Sequence, residues 1–299
     1  MSRIAYVDGQ YVPHAAATVH VEDRGYQFAD GVYEVCAVLG GRVADQGAHL
    51  DRLARSLDAL AIAMPMARRA LAFVMGEVAR RNRIVHGILY VQVTRGVASR
   101  DHAFPGAAHP VLVMTARRMD FSAVIARADK GVSVITLPDQ RWARRDIKST
   151  SLLPNVLAKQ TAREQGAYEA WLVDASGHVT EGSSTNAWVV PREGLLVTHP
   201  NGPDILPGVT RATLMEVARS LGMKVEERPF TVVEAKKARE AFLSSTTAMA
   251  MPVVAIDGTA IGTGKPGPTA RALLKGCWKR ILEGVDVRPQ DVPGVARLF

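Results

Sequence analysis

Lys148 stands in the run Arg141-Trp142-Ala143-Arg144-Arg145-Asp146-Ile147-Lys148-Ser149-Thr150, between a strand-like segment and a helix-like one. A lysine amine does covalent chemistry with a carbonyl compound only when part of it is neutral, a condition met by desolvation or by neighbouring cations. A lone lysine in a basic chain is ordinarily a surface cation. What sets Lys148 apart is its company. Gly208-Val209-Thr210 opens a helix-like pattern whose free N–H groups and dipole favour an anion, although Thr210 as a plain N-terminal cap would explain the same residues. Arg52 falls off the apolar stripe of another helical pattern, where a guanidinium is either solvated or free to grip a phosphate through two nitrogens. Glu181 ends a strand-like stretch and Arg100-Asp101-His102 lies in a loop. Alone, the first reads as a turn residue and the second as a weak signal.

The order of the motifs carries more information than any one of them. Asp146-Ile147-Lys148-Ser149, Leu152-Leu153, Val156-Leu157-Ala158-Lys159-Gln160 and Glu181-Gly182-Ser183-Ser184-Thr185-Asn186 follow one another, preceded by Glu22-Asp23-Arg24-Gly25-Tyr26-Gln27-Phe28, Asp30-Gly31-Val32-Tyr33-Glu34-Val35 and Arg100-Asp101-His102. This series resembles the fold-type IV pyridoxal-phosphate transaminases, and among them the D-amino-acid aminotransferases. The likeness runs over nearly the whole chain, up to about Gly284.

The resemblance implies an α+β, two-domain enzyme of the branched-chain/D-amino-acid aminotransferase type that uses pyridoxal 5'-phosphate. Lys148 would be the Schiff-base amine and proton carrier, and Glu181 would pair with the pyridine nitrogen. The backbone of Val209 and Thr210, the hydroxyl of Thr246 and Arg52 would share the phosphate, while Leu206 packs on the ring face away from substrate. Tyr33, Arg100 and His102 match the trio that grips the substrate α-carboxylate. In that family the arginine and histidine come from the neighbouring subunit, which implies a homodimer with shared active sites. The implied reaction moves an amino group from a D-amino acid such as D-alanine to a 2-oxo acid through pyridoxamine phosphate. A branched-chain L-amino-acid aminotransferase and an aminodeoxychorismate lyase are rivals on the same fold, and a non-catalytic binding protein is the rival from another class. Two departures touch details: Thr246-Thr247-Ala248-Met249-Ala250, where relatives often carry a polar or acidic residue after the threonines, and Leu206-Pro207-Gly208 in place of a lysine-containing turn.

Local patterns supply the elements that must position these residues. A hairpin is expected over 4–12 around Asp8-Gly9, and a strand over 32–39 with Tyr33, Val35 and Ala37 on the face opposite Glu34 and Cys36. Leu50, Leu53, Leu57 and Leu60 recur at helical spacing, and a second helix is read over 71–81. Strands follow at 88–95 and 111–115, with a loop over 96–105 between them. Alternation is lost over 116–126, which places the domain boundary there: a smaller α/β domain over 1–118 and a larger cofactor-binding domain over 122–299. The second part continues with a strand at 132–137, a helix at 154–165 ended by Gly166, a hairpin around 174–177 and a strand at 194–198. A long helix after Pro207-Gly208, strands near Val225 and Phe242, an Asp257-Gly258 hairpin and a last helix bearing Leu273, Leu274, Cys277, Trp278 and Ile281 complete the chain.

Composition is that of an ordinary globular protein. The chain has 299 residues, 47% hydrophobic, enough for a sizeable core. No apolar run reaches signal-peptide or membrane-span length, so a cytoplasmic protein is expected. Cys36 and Cys277 suit buried reduced thiols better than a disulfide framework or a metal site. The net charge of +8 is spread over amphipathic helices with no nucleic-acid module, which favours anionic small molecules over nucleic acid as partners.

Overall fold

A computed structural model describes residues 3–299. The chain divides into two compact units, the first built from residues up to Asp120 together with Ile147–Ser151 and Gly284–Val287. Its sheet has six strands, β1 (Ile4–Val7), β2 (Gln10–Pro13), β3 (Gly31–Leu39), β4 (Arg42–Val43), β5 (Gly87–Thr94) and β6 (Val111–Arg118), in the order β2-β1-β6-β5-β3-β4. Every neighbouring pair is antiparallel. The Asp8-Gly9 turn has both residues at positive φ, 42° and 91°, the geometry that lets a two-residue hairpin follow the strand twist.

Alternation along β3 and β5 decides the core. Val32, Cys36 and Val38 of β3 and Leu89, Val91 and Val93 of β5 face one way and are buried. Tyr33, Val35, Tyr90 and Gln92 on the opposite face are half-buried. A short helix α1 (Arg24–Phe28) starts where the Asp23 carboxylate accepts the Gly25 N–H at 2.8 Å, and stops at Ala29 in the left-handed region. Two longer helices, α2 (Gln46–Ala59) and α3 (Arg68–Arg81), lay Leu50, Leu53, Leu57, Leu71, Val74, Met75 and Val78 on the inward face of the sheet. Leu53 is 1% exposed, so Leu53→Ala would cost about 2–5 kcal/mol through lost transfer energy and the cavity left behind.

The second unit comprises Phe121–Asp146, Leu152–Glu283 and Arg288–Phe299. Its mixed sheet contains β7 (Val132–Pro138), β8 (Glu169–Val173), β9 (Val179–Gly182), β10 (Asn186–Arg192), β11 (Leu195–Thr198), β12 (Lys224–Glu227), β13 (Glu240–Ser245) and β14 (Met249–Ile256), with β15 (Thr259–Ala260) paired to β14. The order is β12-β11-β10-β13-β14-β7-β8-β9. Trp188 of β10 lies opposite Phe242 of β13, their rings stacked 5.6 Å apart. The parallel pair β7 and β8 needs a crossover, supplied by α5 (Leu153–Glu164), whose Ala158 and Ala162 pack closely on Ile135, Ala170 and Leu172. The parallel pair β11 and β12 is joined through α6 (Val209–Ser220), the helix expected after Pro207-Gly208.

Besides the short α1, two helices escape the sequence reading. In the stretch where alternation fades, β6 runs to Arg118 and α4 (Phe121–Lys130) follows, because Phe121, Val124, Ile125 and Ala128 recur at helical spacing and are buried. Phe121 meets Trp278 of α8 (Pro268–Val285) edge to face at 5.3 Å. Between them in sequence, α7 (Val232–Lys237) is too short for a periodic signature and is set by its N-cap, where the Thr231 hydroxyl accepts the Glu234 N–H. Beyond Gly284, Val292 and Val295 are buried by two short 3-10 turns. Among the described residues no helix is long and apolar enough to cross a membrane.

Candidate active site

In the first unit, the stretch around Lys148 runs antiparallel to the start of β3. Tyr33 donates its N–H to the Lys148 carbonyl at 2.9 Å, Thr150 donates its N–H to Gly31 at 3.0 Å, and the Lys148 N–H reaches Ser56 Oγ of α2 at 3.3 Å. Backbone bonds on both sides therefore fix the Cα from which the amine projects. Lys148 is half-buried, and its Nζ lies 4.2 Å from the centre of the Tyr33 ring. Tyr33 stacks in turn on Tyr90, whose hydroxyl donates to Gln92 Oε1 at 2.7 Å. Burial, with Tyr33 nearby, pushes the Tyr90 phenol up to about 12.

The expected alternation of β3 sends Glu34 to the opposite, inward face, where it is 1% exposed. Arg52 Nε and Nη2 donate to its two oxygens at 2.7 Å each, and His49 Nδ1 lies 2.7 Å from Oε2. Arg52 is thus a buried residue, not a solvated one, and one edge of its guanidinium is committed to Glu34. Burial alone would raise the Glu34 carboxyl, but Arg52 and His49 bring it down to about 2. Sequence reasoning passed over this trio. Its one local signal was a glutamate in core phase on a strand.

Arg100 and His102 are both exposed and meet at Phe28, the guanidinium 5.1 Å and the imidazole 5.5 Å from its ring centre. The loop is held from inside by Arg24, which is buried and donates to the carbonyls of Asp101 at 2.6 Å and His102 at 3.4 Å. Asp30 anchors Arg24 and also takes Arg95. Tyr33, the third member of the expected carboxylate trio, has Tyr90 and Lys148 as its ring neighbours instead.

In the second unit, Glu181 near the end of β9 is 4% exposed. Its Oε1 accepts from Arg141 Nη1 and from the Leu206 N–H at 3.1 Å, and its Oε2 accepts from Asn186 Nδ2 at 2.9 Å. Behind Arg141 stands Asp139, whose side chain is fully buried and also takes the Thr180 hydroxyl at 2.8 Å. Burial pushes the Glu181 carboxyl above its usual value against the pull of Arg141. Burial likewise works against the Arg141 charge, but Glu181 and Asp139 raise it above the ordinary guanidinium range. Arg141, Asp139 and Asn186 were not singled out from the sequence, because nothing local marks the residues that a folded strand end will meet.

The same unit carries the anion-directed turn. Gly208 is the N-cap of α6 with φ −66° and ψ 137°, no side chain caps the helix, and Val209 and Thr210 are its first two residues. Thr210 is therefore not the cap, and its N–H and that of Val209 belong to the unsatisfied end of a twelve-residue helix. Leu206 is half-buried one turn earlier, and half-buried Thr246 follows β13 directly.

These features fit pyridoxal phosphate on chemical grounds. An ionised carboxylate offers about four acceptor positions, and three donors reach Glu181, leaving one position on Oε2 for a ring N–H. A helix terminus without a cap suits a phosphate dianion. Residues 31–256 match the amino-transferase class IV family. The chain belongs to the class IV aminotransferases. This aminotransferase is 39% identical over 275 residues, 92% of its length and 96% of the relative's, to a D-alanine aminotransferase of Bacillus licheniformis. It is 37% identical to a D-alanine aminotransferase of Staphylococcus aureus, again over 92% of the chain and 97% of the relative. Its fold matches that of a branched-chain aminotransferase of the thermophilic archaeon Thermoproteus uzoniensis, solved with norvaline, with a TM-score of 0.83, 26% identity, and 95% of this chain and 96% of that one covered.

Proposed function

We propose that this aminotransferase moves the amino group of a D-amino acid such as D-alanine to a 2-oxo acid with pyridoxal 5'-phosphate as cofactor. The observation that carries the donor class is the 39% identity to a D-alanine aminotransferase over 92% of the chain. Exposed Arg100 and His102 gathered at one ring support it.

When bound, pyridoxal phosphate supplies a carbonyl for the amine and a ring that accepts electrons. The protein's part follows from its residues. Lys148 would hold the cofactor through Nζ, and the same amine would carry the proton of the substrate Cα. Glu181 would pair with the ring nitrogen through the position left on Oε2. The Val209 and Thr210 N–H groups, the Thr246 hydroxyl and Arg52 would share the phosphate. Leu206 packs on the ring. Tyr33, Arg100 and His102 orient the substrate carboxylate and so select which Cα–H is removed. The exposure of Arg100 and His102 is what a pair serving a neighbouring subunit requires, and this reading makes the enzyme a cytoplasmic homodimer.

The second reading, a branched-chain L-amino-acid aminotransferase, is favoured by the likeness to the Thermoproteus uzoniensis enzyme. Purified enzyme loaded with pyridoxal phosphate separates the two when D-alanine or L-leucine is added without acceptor and cofactor absorbance is followed. D-alanine should convert the cofactor faster. A faster reaction with L-leucine would replace the donor assignment. Borohydride should fix cofactor to Lys148 and spare Lys159, whose Nζ is held by the Tyr168 carbonyl.

A further inference from the structure

Asn186 has no part in the chemistry above, yet its side chain touches two cofactor-directed groups of its unit. It is 6% exposed, and Nδ2 donates both to Glu181 Oε2 and to the Leu206 carbonyl, at 2.9 Å each. The Leu206 N–H returns to Glu181 Oε1 at 3.1 Å, which closes a ring of three residues. Asn186 Oδ1 occupies the other side of the amide, 2.3 Å from where a Cβ on Gly208 would stand. The turn that opens α6 therefore rests on this amide with only a hydrogen's thickness between. Along the backbone, Asn186 pairs with Ser244 of β13, two residues before Thr246.

We propose that Asn186 is a positioning residue that joins the Glu181 carboxylate to the Leu206–Thr210 turn, so that the acceptor for the ring nitrogen and the donors for the phosphate move as one rigid piece. The proposal rests on the pyridoxal phosphate reading. No other side chain meets the demand. Aspartate has the same outline but turns lone pairs toward the Glu181 carboxylate and the Leu206 carbonyl; alanine has neither donor; glutamine is longer by a methylene in a closely packed place. A cofactor gripped at both ends gains most from a fixed distance between the two grips.

The test uses apoprotein of the wild type, Asn186→Ala, Asn186→Asp, Gly208→Ala and the Asn186→Ala/Gly208→Ala double variant. Each is titrated with pyridoxal phosphate and with pyridoxal, which lacks the phosphate, while cofactor absorbance and the thermal unfolding of the apoprotein are recorded. Asn186→Asp should weaken pyridoxal phosphate by about tenfold to a hundredfold, more than Asn186→Ala, and should weaken pyridoxal less. Gly208 has negative φ, so Gly208→Ala strains no backbone; the added Cβ crowds Oδ1 at 2.3 Å and, less tightly, Arg211 Cβ at 3.1 Å. It should weaken the cofactor in the wild-type background and add little once Asn186 is alanine. Binding within about twofold of wild type for Asn186→Asp and Gly208→Ala, or penalties that simply add, would overturn the proposal. If the Asn186 variants do not fold, Gly208→Ala alone decides. A wild-type protein that takes up no pyridoxal phosphate sinks the underlying reading, and this proposal with it.

Discussion

Glu34 is a residue in which two partners overturn the effect of burial. It sits on the core face of β3 with its carboxylate clamped between Arg52 and His49. Burial raises its pKa, but Arg52 and His49 lower it by more, from 4.5 to about 2. A carboxyl whose folded value lies below its unfolded value contributes stability that is complete above the unfolded value and is lost as pH falls through the folded one. The window is therefore pH 4.5 down to about 2, and the contribution above it is roughly 3 kcal/mol. Glu34→Gln should lower the unfolding free energy at pH 7 by about 3 kcal/mol, since it leaves a buried guanidinium without its counter-charge. It should also flatten the loss of stability across that acid window. Urea unfolding at a series of pH values checks both, and parallel acid limbs for the two proteins would exclude the carboxylate as their cause.

At the scale of an element, α6 offers a test that leaves the fold alone. Proline is tolerated in the first turn of a helix, where its missing N–H has no intrahelical partner, and it asks the preceding residue to be extended. Gly208 already is, with ψ 137°. Val209→Pro should therefore keep the helix, as judged by circular dichroism, while deleting one donor of the proposed phosphate cup. Affinity for pyridoxal phosphate should fall about tenfold, in line with one charge-assisted hydrogen bond. Unchanged affinity in a folded variant would remove the Val209 N–H from the cup. The longer helices other than α4 were legible through their period. Leu50, Leu53 and Leu57 announce α2 and its buried face, whereas α7 spans six residues and depends on a cap.

At the scale of the whole molecule, the assignment of Arg100 turns on which subunit it serves. The side chain is exposed in its own chain, while its loop is held from beneath by Arg24. Arg100→Ala should cost D-alanine about tenfold to a hundredfold in kcat/KM and spare an amine that has no carboxylate, because the guanidinium acts on that group alone. Equal losses on both donors would point to a disturbed loop. Mixing Arg100→Ala subunits with Lys148→Ala subunits should restore activity, since one of the two sites in each heterodimer would then combine a native Lys148 with a native Arg100. No recovery after demonstrated subunit exchange would assign the loop to its own subunit.

The sequence by itself determined the features that are local. Ordered short motifs mark Lys148 and Glu181, alternation puts Tyr33 and Glu34 on opposite faces of β3, and a glycine before a helical pattern leaves two N–H groups free at the start of α6. Backbone geometry and side-chain period govern each of these within a few residues. The partners of the same groups were decided by tertiary structure. Arg141 and Glu181 are 40 positions apart, Arg52 and Glu34 are 18 apart, and Asn186 reaches Leu206 across 20. Which arginine finds which carboxylate depends on strand register and on where loops return, and a buried charge tolerates only the partner that arrives. A sequence pattern carries charge and period, but the pairings that satisfy Glu181 and Glu34 in a dry interior exist only once distant segments have been brought together.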